Sequence, residues 1–527
     1  MSQSGDRQRM RAGGQPVFVL SDDAERTQGK DAQQANVAAG KAIAESVRTT
    51  LGPNGMDKML VSDGDVVVTN DGATILEEMD IEHPAADMLV DVATTQEEEV
   101  GDGTTTAAVL TGELLTQAED LLDNDIHPTA IVEGYGRARD IALQTVEEET
   151  LAGEVDDEIL RQVAESAMTG KGTGGAAADQ LAAAVVEAVR RVDGNGDDVQ
   201  VTARAGRSST ATEVFGGIVV DDELEHDDVP RRYEDATIAV LDVGLEQPEA
   251  NVDFEYDITD TGQVDDATAG EQARLDRYVD ILVDHGVDIV YSSDEVEDYV
   301  AARLAEHDIM SVSYVRDKEM PAFARAVNAG RITNLEEADP EEFGHADVVR
   351  HERHGEGDDE EQLTFFENED AGLVTLYVRG GTGYVVDELE RAVQDGVGAV
   401  VEAMSGEGVV PGAGATEVAV ANALRDEAAS VEGRQQLAVE AFAEAVETIP
   451  RTLAQNAGMD PIDALVDLRA ANESGRAGVL GVGVEARVGD PVPAGVLDPA
   501  TVKHGAVQAA VEAATMIVRI DDVISAN

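Results

Sequence analysis

The sequence predicts a multidomain α+β protein: a mostly helical domain contributed by both chain ends, and an inserted α/β domain. Three observations predict it. The chain has 527 residues, more than one core normally serves, so about two to four domains are expected. Long helical patterns fill its first third and return beyond residue 402, which suggests that both ends build one domain. Between them, residues 214–361 alternate strand and helix patterns, as an α/β domain does.

Residues 1–16 are polar. From Asp31 to Leu51, apolar Val37, Ala38, Ala42, Ile43 and Val47 predict a helix. It stops at Gly52-Pro53, because proline cannot continue a helix. Val66–Val68 reads as a short strand and Asn70-Asp71-Gly72 as a turn. Thr74–Glu78, Pro84–Glu99 and Thr129–Thr150 read as helices, the last ending in the solvated run Glu147–Glu149. Past Gly153, helices are expected over Ile159–Met168 and Asp179–Val192, with a flexible loop at Thr169–Gly175 between them.

In the middle, Ile238–Val243, Val287–Tyr291 and Met310–Tyr314 are apolar enough for strands. Gln272–His285, Glu295–His307 and Met320–Ala329 suit helices. The strand Val374–Val378 leads into Arg379-Gly380-Gly381-Thr382-Gly383 and a helix over Tyr384–Met404. Val386, Leu389, Val393, Val397 and Val400 mark its buried stripe, and Asp395 falls opposite, free to face a neighbouring domain. Val410-Pro411-Gly412-Ala413-Gly414 precedes further helices to Ala471. A β-rich stretch, a turn at Gly495–Pro499 and a terminal helix close the chain.

Composition narrows the class. There is no cysteine, hence no disulfide framework, thiolate metal site or cysteine nucleophile. No segment is long and uncharged enough to cross a bilayer, so a cytoplasmic protein away from membranes is expected. Acidic residues number 109 against 37 basic ones, a net charge of −72. They are spread over all segments rather than gathered in a tail. With six lysines against 31 arginines, this reads as a surface adapted to multimolar salt, that of a halophile. No basic face is visible, so nucleic acid is not an expected partner.

The most informative stretch is Gly101-Asp102-Gly103-Thr104-Thr105-Thr106. Apolar residues then recur at Ala107, Leu110, Leu114, Ala118 and Leu121, so the glycine turn feeds a helix N-terminus. The first turn of a helix has unpaired N–H groups and partial positive charge, and glycine lets an anion come close. Asp102 would repel a phosphate unless a divalent cation lay between them, which points to a Mg-nucleotide site. The alternative is that Asp102 or Thr104 simply caps the helix. The triple threonine weighs against that, since β-branched residues are mediocre helix formers.

These residues, with their surroundings, resemble the chaperonins, and within them the archaeal group II branch. Thr49-Thr50-Leu51-Gly52-Pro53 with Gly55–Leu60 is similar to the family's first nucleotide loop. Thr69–Leu76 and Asp80–Ala86 match its next segment. Arg379–Thr382, Ile449–Ala454 and Arg519–Ile524 also match, and the resemblance runs from about Gln15 to the C-terminus.

The resemblance implies an ATP-dependent chaperone subunit using Mg²⁺, assembled with copies of itself or paralogous subunits into a double ring around unfolded protein clients. It implies an equatorial domain over 1–144 and 402–527, an intermediate domain over 145–213 and 363–401, and an apical domain over 214–362. By the same match Asp102 holds Mg²⁺, and Gly103, Thr104, Thr105 and Thr106 cradle phosphates. Thr50, Leu51, Gly52 and Pro53 line the nucleotide, Gly412, Ala413 and Gly414 approach it, and Asp498 reaches the ribose. Asp395 matches the water-activating aspartate; its alternative is a surface ion pair with Arg391. Lys171 falls where relatives carry a γ-phosphate sensor, although by residue type it reads as an exposed loop lysine.

The sequence departs from the family in several places. The segment holding the second active-site aspartate is one residue shorter, leaving Asp63 as the substitute and Asp65 as the alternative. Alanine interrupts the glycine triplet at Ala413, a mild change. Gly481-Val482-Gly483-Val484 lacks the base-contacting polar residue. The stretch after Ile258-Thr259-Asp260, a helical lid in the family, lacks bulky apolar residues here. Two rival readings stay open: a ring component without turnover, and a small-molecule kinase, for which no true Walker motif appears.

Overall fold

The computed structural model describes residues 10–12, 15–17, 25–62, 65–170, 175–205, 211–246, 261–354, 361–381, 383–473 and 475–525. The chain forms two compact units, one from residues 1–173 with 402–527 and one from 174–401.

The first unit is a helical bundle. Helices Lys30–Arg48, Pro84–Val100, Thr104–Asp123 and Pro128–Glu149 come from before the second unit. Ala415–Ala428, Gln435–Val446 and Ala500–Val518 come from after it. One core joins Leu114, Leu115, Ile131, Tyr135, Phe442, Val511 and Ile517. Only 3% of residues are aromatic, so contact comes from close helix approach more than from large rings. A Cβ on Gly112 would run into Ala44, and one on Gly134 into Ala438. The edge-on pair Tyr135–Phe442, 5.7 Å between centroids, is the bulky exception, with the Tyr135 hydroxyl donating to the Leu114 carbonyl at 2.7 Å.

Short strands tie the two ends together. Glu25–Gln28 pairs antiparallel with Asp522–Ser525, and Val409–Pro411 with Leu497–Pro499. The second pairing corrects the turn expected at Gly495–Pro499. The turn lies at Pro491–Gly495, closed by Ala494 and Gly495 N–H donations, and Asp498 sits on a strand. Lys58–Ser62 and Asp65–Thr69 form a hairpin, of which only Val66–Val68 was readable from the sequence.

The second unit is built on a nine-stranded sheet among the described residues. Its path runs Met310–Val312, Ile289–Ser292, Arg232–Leu241, Gly344–His354, Glu361–Glu367, Glu213–Val220, Val374–Gly380, Val199–Ala205, and Arg331–Ile332 pairs alongside Arg232–Leu241. Side chains alternate between faces as the pleat requires. Ala236, Ile238, Val240, Ile289 and Tyr291 enter one core with Phe323 and Phe366, while Ala239, Leu241 and Val290 enter the other with Leu275, Val279 and Leu304. The strand expected over Met310–Tyr314 ends at Val312, and Tyr314 adopts φ 55°, outside any strand. The helix expected over Gln272–His285 begins earlier, at Thr261, and runs to Asp284. Ile258–Asp260 lie outside the described residues.

Candidate functional site

The Gly-Asp-Gly turn folds as its residue types demand. Gly101 and Gly103 take φ 70° and 94°, left-handed values that favour glycine. Gly103 is the N-cap of Thr104–Asp123 and no side chain caps that helix, which overturns the capping alternative. Asp102 Oδ1 accepts from the Gly103 N–H at 2.6 Å, and the Asp102 carbonyl accepts from Gln96 Nε2 at 3.0 Å. The carboxylate is thus fixed beside a helix start whose N-cap is a glycine. Thr104 is buried, while Thr105 and Thr106 are half-buried.

The other expected loops gather in the same unit through a closed series of contacts. A Cβ on Gly72 would collide with Thr105, which brings the Asp71-Gly72 turn against the threonines. Asp71 caps the helix Gly72–Glu77 by accepting from the Thr74 N–H at 2.8 Å. The preceding Asn70 donates through Nδ2 to the Gly170 carbonyl at 2.7 Å. A Cβ on Gly170 would stand 2.9 Å from the Gly52 carbonyl and 3.3 Å from Pro53.

Gly52, at φ 90°, has room only for hydrogen beside Leu453. A Cβ on Gly414 would meet Pro450 at 2.9 Å and the same Leu453 at 3.3 Å. Thr50 closes the helix Lys30–Arg48 through its hydroxyl, which donates to the Val47 carbonyl at 2.8 Å. The Leu51 carbonyl accepts from Asn456 Nδ2 at 2.8 Å. Returning to the start, a Cβ on Gly103 would touch Val502 at 3.1 Å, one residue before Lys503, which pairs with Asp498. Asp498 Oδ2 in turn lies 3.1 Å from where a Gly412 Cβ would be.

Sequence reasoning therefore located Thr50–Pro53, Asp102–Thr106, Gly412–Gly414 and Asp498 in one place. It missed Lys503, Glu417 and Asn456, whose partners are distant in the chain, and had Leu453 only as part of the Ile449–Ala454 match. A lone lysine five residues past Asp498, in a chain with six, was the one available signal.

Ala413 proves less mild than expected, because it holds φ 56° between Pro411 and the helix Ala415–Ala428. An L-residue there costs roughly 1–2 kcal/mol. Gly478 accommodates it, since a Cβ on Gly478 would stand 2.9 Å from the Ala413 methyl. Lys171 and Asp63 lie outside the described residues, and Asp65 stands opposite Ser62 in its hairpin.

Asp395 belongs to the second unit, on the helix Gly383–Met404. It is only 7% exposed, which does not suit the alternative of a surface ion pair. Ala392, Val393, Ala399 and Val400 are buried with it, which means the helix is covered on more than one side. The expected partner Arg391 pairs with Glu388, 3.6 Å away.

A nucleotide and Mg²⁺ both fit these residues. Gly52, Gly103, Gly412 and Gly414 let these loops pack directly on Leu453, Val502, Val496 and Pro450, and the bare backbone this leaves is the kind a phosphate can approach. Among the described residues no group of three or more His, Cys, Asp or Glu could hold a metal ion. A cation held at Asp102 would share its coordination with phosphate oxygens and water, the habit of Mg²⁺.

A helical unit made from two chain ends, with glycine-rich loops gathered in it and an α/β unit inserted between the ends in sequence, is the architecture of a chaperonin. The chain belongs to the TCP-1/cpn60 chaperonin family, whose profile matches residues 43–527. It is 55% identical to thermosome subunit 3 of Haloferax volcanii, covering 97% of this chain and 99% of that protein. It is 48% identical to the thermosome subunit of Methanopyrus kandleri, over 98% and 95% of the two chains. With thermosome subunit alpha of Halobacterium salinarum the identity is 46%, over 98% and 92%. Family members are ATPases that couple hydrolysis to protein folding. The relatives from Haloferax and Halobacterium agree with an acidic surface suited to high salt.

Proposed function

We propose that this chain is a subunit of a double-ring chaperonin in which Mg-ATP bound among the loops of the first unit drives enclosure and folding of unfolded proteins. The observation that carries the reading is the closed series of contacts from Gly103 through Gly72, Gly52, Gly414 and Gly412 to Asp498 and back to Val502. In this assignment Asp102 holds Mg²⁺ against phosphate oxygens, and Gly103 with Thr104–Thr106 binds phosphates through N–H and hydroxyl donors. Thr50–Pro53 and Gly412–Gly414 line the nucleotide and Asp498 accepts from the ribose. Bound Mg²⁺ supplies charge neutralisation on the phosphates. Asp395 orients and deprotonates water, with Asp63 or Asp65 as the second carboxylate and Lys171 near the γ-phosphate.

The domain assignment goes with this reading: equatorial 1–144 and 402–527, intermediate 145–213 and 363–401, apical 214–362 with the lid helix starting at Thr261. Partners are unfolded clients, copies of the chain and paralogous subunits, within the cytoplasm. Among the described residues no helix is long and apolar enough to cross a membrane. The test is ATP hydrolysis in molar KCl with and without an unfolded protein, alongside electron microscopy of the native particle. Stimulated turnover by a double ring is expected. Absence of turnover would favour a ring component that only binds.

A further inference from the structure

Lys503 is one of six lysines in the chain and stands in the first turn of the helix Ala500–Val518. Its Nζ lies 2.7 Å from Glu417 Oε1 and 2.7 Å from Asp498 Oδ2. Burial works against its charge, but Asp498 and Glu417 outweigh that and hold its pKa above the ordinary 10.5. An ammonium therefore sits between two carboxylates that come from different elements. Glu417 rises from the first turn after Gly412–Gly414, and Asp498 from the strand paired with Val409–Pro411. Lys503 thus links the side of the site that faces phosphate with the side that faces ribose.

Two details say this group is not arranged for stability alone. One cation between two carboxylates leaves a net negative charge, centred on Glu417, which is buried, and Asp498, which is partly exposed; such an excess is costly unless an outside donor shares it. Glu417 Oε2 is also buried without a hydrogen-bond partner. On the other side, Lys503 engages Oδ2 of Asp498 and leaves Oδ1 to accept from a further donor. A ribose hydroxyl is such a donor, and a carboxylate held in one orientation selects for it by direction as well as by charge.

We propose that Lys503 is the positioning residue for the nucleotide ribose: it fixes the Asp498 carboxylate and thereby sets the preference for ribonucleotides over deoxyribonucleotides. The proposal rests on the assignment of Asp498 to the ribose. The test is equilibrium titration calorimetry of the assembled protein in molar KCl with Mg²⁺, using ADP, 2′-deoxyADP and 3′-deoxyADP. The wild type is expected to bind ADP about 10-fold or more tightly than the weaker deoxy analogue, as a hydroxyl bonded to a charged acceptor would give. Lys503→Arg, which keeps the charge and moves the donors, is expected to reduce that ratio to within about threefold of unity.

A purely structural role for Lys503 would weaken all three ligands alike and leave the ratio unchanged; a Lys503→Arg ratio within about twofold of wild type overturns the proposal. Should that variant not assemble, Lys503→Met with Glu417→Gln keeps the same net charge and decides by the same ratio. Failure of the underlying assignment looks different. The wild-type ratio would then be near one, or Asp498→Asn would retain it in full.

Discussion

Replacing Asp395 with asparagine separates catalysis from packing, because the substitution keeps the shape and removes the charge. The structure sets the scale of each alternative. A helix-surface ion pair four residues apart is worth about 0.3–0.5 kcal/mol, which changes a rate by roughly twofold. That account does not suit a residue only 7% exposed, whose neighbour Arg391 pairs with Glu388. A general base contributes about 10²- to 10⁴-fold, or roughly 3–5 kcal/mol of barrier. Asp395→Asn is therefore expected to leave ATP binding within a few-fold of wild type and to slow hydrolysis by about 10²-fold or more. Single-turnover hydrolysis with nucleotide prebound in high salt reads the chemical step directly. A rate within about twofold of wild type would falsify the assignment, since ~0.4 kcal/mol is too little for a base. Asp65 and Asp63 would then be the remaining carboxylates.

Asp102→Asn keeps an acceptor for the Gly103 N–H but no longer offers a charge to Mg²⁺, so Mg-dependent hydrolysis should fall by at least about 10²-fold with the assembly intact; unchanged turnover would sink the metal assignment. Glu447, fully buried, is bonded to Arg425 and Arg469. Burial raises its pKa, but the two guanidinium groups more than reverse this and leave it below the ordinary 4.5. Its stabilising effect is thus complete above pH 4.5 and fades as pH falls through the folded-state value. Glu447→Gln should cost about 3–5 kcal/mol near neutrality, with the gap closing in acid; urea midpoints of both proteins on either side of pH 4.5 check this, and a constant gap refutes it. With a net charge of −72, the assembly should dissociate or unfold well below molar KCl, as repulsion escapes screening; sedimentation of an intact ring in dilute buffer without Mg²⁺ would count against a high-salt surface.

What could be read from the sequence follows the length of each pattern. The helix Thr104–Asp123 has five apolar positions at helical spacing and a glycine start, and it folds as read. The strands Val409–Pro411 and Leu497–Pro499 have three residues each and a proline apiece, too short for any period to register. Their pairing places Asp498, so the position of the ribose candidate was invisible although its identity was not. The hairpin strand Lys58–Ser62 was missed for another reason: of its apolar residues Met59 and Val61 point to solvent and Leu60 alone packs against a core. Lys503 finds Glu417 86 positions away, a separation no local pattern encodes.

The clasp between the chain ends has a consequence for synthesis. Gly52, Gly103 and their loops leave the ribosome early, but Leu453, Asp498 and Val502, which complete the ring of contacts, lie near the end. Between them residues 174–401 must be made, roughly 10–45 s of elongation. During that interval the helices Lys30–Arg48 and Thr104–Asp123 lack the partners Ala500–Val518 and Gln435–Val446 that bury their apolar faces. The inserted unit can fold on its own schedule, while the nascent first half waits with its surface uncovered. A chain that stops short of Asp498 lacks the contacts to Gly412 and Lys503 that close this series.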